Sequence, residues 1–101
     1  MMKLDILKAA IDDLRDIAQK HKALAGANSA SNIINKIRNS LELLKTNPYL
    51  GKSFNDFPLN DMDFRCLICG VYLCFYKVEK DSVVVHYIVD GRTNYYLQLL
   101  R

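Results

Sequence analysis

Residues 64–100, FRCLICGVYLCFYKVEKDSVVVHYIVDGRTNYYLQLL, constrain this chain more than any other stretch. β-Branched and aromatic residues fill runs of six to eight positions, and glycine or charged breaks separate them, the pattern of consecutive antiparallel strands. Phe64 to Cys69 and Val71 to Val78 are predicted strands divided at Gly70, and Glu79-Lys80-Asp81-Ser82 is a polar hairpin connection into a third, Val83 to Val89. A Gly91-Arg92 turn and a short helix follow. The third strand is apolar on both faces except for His86. That predicts a central position, with helices on one side of the sheet and another segment approaching the other.

The preceding residues have a helical period. Leu7, Ala10, Leu14, Ile17, His21 and Leu24 recur at spacings of three and four, with Asp12, Asp13, Arg15 and Asp16 off that stripe. His21 on or beside the stripe reads as a partly buried helix histidine near the C-terminal dipole. Ala25-Gly26-Ala27-Asn28-Ser29 breaks the pattern; Gly26 suits a helix end, and Ser29 or Ser31 is available to cap the next helix. Ala30, Ile34, Ile37, Leu41 and Leu44 form a second stripe, which ends before Asn47-Pro48. Leu14, Ile17, Ile34 and Leu41 are expected in the core rather than at an interface. Lys3 to Leu7 is long enough for a short strand, and Tyr49 to Met62 reads as an irregular connection anchored by Phe54 and Phe57. The predicted fold class is α+β: a short N-terminal strand, a helical hairpin packed on an antiparallel sheet whose last three strands are hairpin-linked, and a short C-terminal helix.

At 101 residues the chain is expected to form one domain, 1–101, with a single core between two layers. Its 50% hydrophobic and 25% charged residues exclude a disordered tail, and no apolar run approaches the ~20 residues of a membrane span. With no apolar secretory segment at the start, the expected location is the cytoplasm. Cys66, Cys69 and Cys74 are an odd number for a disulfide framework. Cys66 and Cys69 have zinc-knuckle spacing, but residues three apart on a strand face opposite ways, so buried reduced thiols are expected and no cofactor or metal is implied. The net charge of +3 is unevenly spread: residues 1–60 hold nine Lys/Arg against six Asp/Glu, and residues 61–101 hold five of each. A sheet that worked on RNA would concentrate cations, and this one does not.

Four local patterns occur in order along nearly the whole chain: Asp13-Leu14-Arg15-Asp16-Ile17; Leu44 to Gly51, LKTNPYLG; Phe64-Arg65 with Tyr72 and Phe75-Tyr76; and Ile88-Val89-Asp90-Gly91-Arg92-Thr93-Asn94-Tyr95. Together they resemble the RelE/ParE family of bacterial toxins. The resemblance implies the toxin half of a type II toxin-antitoxin pair, neutralised by a cognate antitoxin that wraps its surface. The apolar faces of the last strand, with helices on only one side, are expected to leave a groove for an antitoxin helix or an edge for an antitoxin strand. RelE-like members cleave messenger RNA within the ribosome, and ParE-like members act on DNA gyrase. The closing segment of the family is commonly written with His, Gly, two Arg, Asp and Tyr. Here Asp90 stands at the His position, Thr93 at the second Arg and Asn94 at the Asp, and Leu73 follows Tyr72 where RelE-like members place an arginine.

Metal-independent RNA cleavage needs a base for the 2′-hydroxyl, a cation for the phosphate and a proton donor for the leaving oxygen. In an endoribonuclease version the candidates are Arg65 and Arg92 on phosphate, Tyr95 or Tyr96 as acid or base, and His86 adjusting their protonation. The basic helical half would then face ribosomal RNA. The gyrase-directed version needs no catalytic constellation, and the neutral sheet half favours it. A third class is a non-toxic interaction module that binds an antitoxin, with Thr93 and Asn94 as marks of decay.

Overall fold

The computed structural model of the chain describes residues 1–100. The elements run β1 (Lys3–Ile6), α1 (Lys8–Ala25), α2 (Ala27–Glu42), a 3₁₀ turn (Leu43–Lys45), β2 (Lys52–Phe54), β3 (Phe64–Cys69), β4 (Tyr72–Val78), β5 (Ser82–Asp90) and α3 (Tyr96–Leu99). The sheet order is β1-β5-β4-β3-β2. β1 pairs parallel with β5, and the other pairings are antiparallel. β5 therefore lies inside the sheet, as its two apolar faces require. The β3–β4 hairpin turns at Gly70 and Val71, with Gly70 at φ +61° where a type II′ turn needs its glycine.

The helical hairpin covers one face. Ala10, Leu14, Ile17, Ile37, Leu41 and Leu44 pack on Leu67, Tyr72, Cys74, Tyr76, Val83, Val85 and Ile88. Each fully buried Leu or Ile in that layer contributes about 1.5–3 kcal/mol. The opposite face carries a smaller core of Leu59, Phe64, Phe75, Val89 and Leu99, roofed by the segment before β3 and by α3. That roof is the segment that the composition of β5 anticipates, and it gives the sheet two cores rather than one.

A β-bulge reconciles β5 with both faces. Phe75 pairs with Tyr87 and Tyr76 with Val85, so His86 is the extra residue. Val83 and Val85 face the helices before the bulge, and Ile88 faces them after it, while His86 stacks edge-on against Phe64 on the other side.

Several expectations are corrected. The break between the helices is a single residue, Gly26, whose φ of +90° favours glycine. Ser29 and Ser31 lie inside α2, which has no side-chain cap. Leu24 is 87% exposed and so lies outside the buried stripe of Ala10, Leu14 and Ile17. Within the connection, Lys52–Phe54 is a strand paired with Phe64–Cys66. Phe54 packs on Phe75 at 4.8 Å, but Phe57 is 67% exposed and Leu59 is the second anchor.

All three thiols are free, with Cys66 in the smaller core and Cys69 and Cys74 in the larger. Burial pushes Cys66 up to about 11 and Cys74 higher still. Iodoacetamide at about pH 8 is expected to alkylate Cys66 in the native protein on the order of a hundredfold more slowly than a free thiol, with full labelling restored in denaturant. Native labelling at the free-thiol rate would contradict this burial.

Candidate functional site

Arg65 leaves β3 on the helix-facing side, beside the corner that leads into β2. Its Nε donates to the Gly51 carbonyl at 2.9 Å, and its Nη2 donates to the carbonyls of Gly51 at 2.6 Å and Tyr49 at 3.3 Å. The guanidinium also lies 5.2 Å from the Tyr49 ring centre. The same corner is pinned from the core by Tyr76, whose hydroxyl donates to the Pro48 carbonyl at 2.8 Å and accepts the Gly51 N–H at 2.9 Å. A Cβ on Gly51 would sit 2.7 Å from the Cys66 carbonyl oxygen, so only glycine fits. The LKTNPYLG pattern is thus a backbone corner held by two side chains, and Arg65 is one of them.

Arg92 follows β5 and closes on its own neighbour. Its Nε and Nη2 donate to Asp90 Oδ1 at 3.1 Å and Oδ2 at 2.8 Å, a two-pronged pair, and its backbone N–H donates to Oδ1 at 2.9 Å. The side-chain hydrogen bond from Arg92 is the main reason the Asp90 carboxyl titrates below its usual range. Asp90, standing where the family pattern has histidine, is therefore the partner of Arg92.

Tyr95 lies against Phe75 at 6.1 Å and Tyr96 at 4.8 Å between ring centres. Burial first, and the Tyr96 hydroxyl second, raise its hydroxyl above the usual phenol value. His86 sits 5.0 Å from Phe64, ring to ring, and burial followed by the charge of Lys77 lowers its imidazole below the usual value. His86 and Arg65 thus occupy opposite faces of the sheet. The four candidates do not share one constellation.

Two polar features lie elsewhere. His21 Nε2 is 2.8 Å from Tyr72 Oη, joining the end of α1 to β4 across the rim of the larger core. Burial, then the Asp90 carboxylate, raises the Tyr72 hydroxyl. Asp13 is 5% exposed, and its Oδ2 accepts the backbone N–H of Ile88 at 2.9 Å. β1 stops pairing at Val85, so the outer edge of β5 beyond that point meets α1 instead of a strand, and Asp13 takes a donor there. Its sequence signal is its spacing, three residues after Ala10 and four before Ile17, both of which are buried.

Between α1 and this end of β5 is a cleft of about 310 Å³ lined by Asp13, Asp16, Lys20, Tyr72, Asp90 and Thr93 among others. With Asp90 neutralised by Arg92, Asp13 and Asp16 against Lys20 leave the cleft a small net negative charge, which disfavours a phosphate. Among the described residues no group of three His, Cys, Asp or Glu side chains is placed to hold a metal ion, and no helix is long and apolar enough to cross a membrane.

Residues 4–95 match the family model described as ParE toxin of type II toxin-antitoxin system, parDE. The chain belongs to the ParE toxin family. As a ParE toxin it is the toxin half of a toxin-antitoxin pair, and its partner is a cognate antitoxin. Among solved structures it is similar to a chain described as the chromosomal ParDE TA system from P. aeruginosa, at 19% identity and a TM-score of 0.75, over 89% of this chain and 96% of that one. That likeness extends the shared fold to almost the full length of both. No curated protein matches the chain. The α+β arrangement anticipated from the sequence is the ParE arrangement, with a parallel β1 completing the sheet.

Proposed function

We propose that this ParE toxin arrests bacterial growth from the cytoplasm by engaging DNA gyrase as a binding inhibitor rather than by cutting RNA. The observation that carries the reading is the commitment of both candidate arginines. Arg65 spends its donors on the carbonyls of Tyr49 and Gly51, and Arg92 is closed on Asp90. Arg92 is 68% exposed but is one half of an ion pair, and Arg65 is bound to backbone carbonyls, so neither guanidinium stands as the free cation that phosphate cleavage uses. The acidic cleft beside Tyr72 supports the same reading. On this account the antitoxin uses the groove beyond the end of β2, where Leu43, Leu50 and Ile68 are 56%, 44% and 66% exposed, since apolar side chains beside a free strand edge suit an added strand.

The test is inducible expression in bacteria with and without the antitoxin, scoring translation, mRNA integrity and DNA supercoiling in the same cells. Filamentation and altered supercoiling with translation intact are expected, and the double variant R65A/R92A, where it folds, is expected to retain most of the effect. Ribosome-dependent mRNA cuts that disappear in R92A would replace this reading with the RelE-like ribonuclease. No growth defect at all would favour the non-toxic interaction module.

A further inference from the structure

The face of α2 turned away from the core carries four asparagines, Asn28, Asn32, Asn35 and Asn39, all exposed. At 3.6 residues per turn their spacings of four, three and four place them within about 60° of one another. They lie opposite Ala30, Ile37 and Leu41, the buried residues of the helix. Asparagine is a weak helix former, and solvent-facing helix positions are better filled by Lys, Glu, Gln or Ala. Four in one line weaken α2 without contributing to the core. Lys36 and Arg38, both exposed, fall roughly 80° to either side of the line on the same helical projection. No acidic residue precedes Glu42 in α2, and Glu42 is held by Lys45 at 2.8 Å.

We propose that this outer face of α2 docks in the major groove of duplex DNA, with the asparagine amides on adenine edges and Lys36 and Arg38 on phosphates at the two sides. An amide presents a donor and an acceptor side by side, which matches the N7 acceptor and N6 donor of adenine. An α-helix fits the B-form major groove, and the line is about 16 Å long, so its two central members, Asn32 and Asn35, reach the groove floor. The charge is complementary: the basic excess of the chain lies in its helical half. The A-form RNA duplex is excluded by its deep, narrow major groove. A second copy of the chain is disfavoured because a helix-pairing seam needs apolar residues where this line has only amides. The inference is independent of the gyrase reading, and its failure leaves that reading in place.

Fluorescence anisotropy of the full chain with labelled duplex pools of about 20 base pairs, one A·T-rich and one G·C-only, tests it. The A·T-rich pool is expected to bind at least about fivefold tighter. The variant N32A/N35A is expected to bind both pools alike while melting no lower than the parent, because alanine is the better helix former. K36A/R38A is expected to weaken both pools and to reduce the slope of log affinity against log salt by about 2. Replacing adenine with 7-deazaadenine, which lacks the N7 acceptor, is expected to remove the preference. No binding at low salt, equal affinity for the two pools, equal affinity for an RNA duplex, or a preference that survives N32A/N35A would each overturn the proposal. Dimers in sedimentation that are lost in N32A/N35A would overturn it in favour of self-association.

Discussion

Tyr76→Phe is expected to lose about 2–4 kcal/mol of folding stability, although it deletes a single oxygen atom. That oxygen accepts the Gly51 N–H and donates to the Pro48 carbonyl, in a side chain with no solvent exposure. Removing it leaves two backbone groups of one corner without their partner, and each costs about 1–3 kcal/mol when it stays buried. Domains of this size have about 5–15 kcal/mol in total, so the variant is expected to melt more than about 10 °C below the parent. Urea unfolding followed by circular dichroism measures it, with the midpoint moving and the slope unchanged. A loss under about 0.5 kcal/mol would mean that water replaces the hydroxyl and that Arg65 alone holds the corner.

Asp13→Ala is the second large effect, at about 1.5–3 kcal/mol, because a carboxylate accepting a buried backbone N–H makes a charge-assisted bond. The Ile88 N–H that it accepts lies on the outer edge of β5 past the last residue paired with β1. Asp13→Asn keeps an acceptor in place and is expected to recover more than half of the loss. Hydrogen exchange at the Ile88 amide separates this role from general destabilisation. In Asp13→Ala that amide is expected to exchange through local opening, faster than the amides of Val83 and Val85. Equal protection of all three would refute the assignment.

The sequence shows the strands and helices because their apolar residues keep a period of two or of three to four, and a period survives without knowledge of the fold. It conceals what depends on a distant partner. Arg65 advertises a cation, but the carbonyls it binds belong to residues fourteen and sixteen positions earlier. Asp90 in the histidine position reads as a loss until Arg92 is seen closed upon it. β2 escapes notice because Lys52-Ser53-Phe54 is too short to display alternation. Asp13 is legible only by its spacing between the buried Ala10 and Ile17, and its charge masks that signal.

The bulge at His86 absorbs one extra residue without changing the phase of the sheet. Upstream of it the odd-numbered positions of β5 serve the helical core, and downstream the even-numbered Ile88 does so while Val89 turns to the smaller core. Deleting His86 would leave Val85, Tyr87 and Ile88 in plain alternation opposite Tyr76, Phe75 and Cys74, so Ile88 stays with the helical core and Val89 with the smaller one. His86 is thus the residue that the strand can lose without exchanging its faces, and what it adds is a local bend and a ring packed on Phe64. A transplanted or redesigned β4–β5 hairpin can keep or omit that residue, but taking out Tyr87 as well would turn Ile88 toward α3 and Val89 toward the helices.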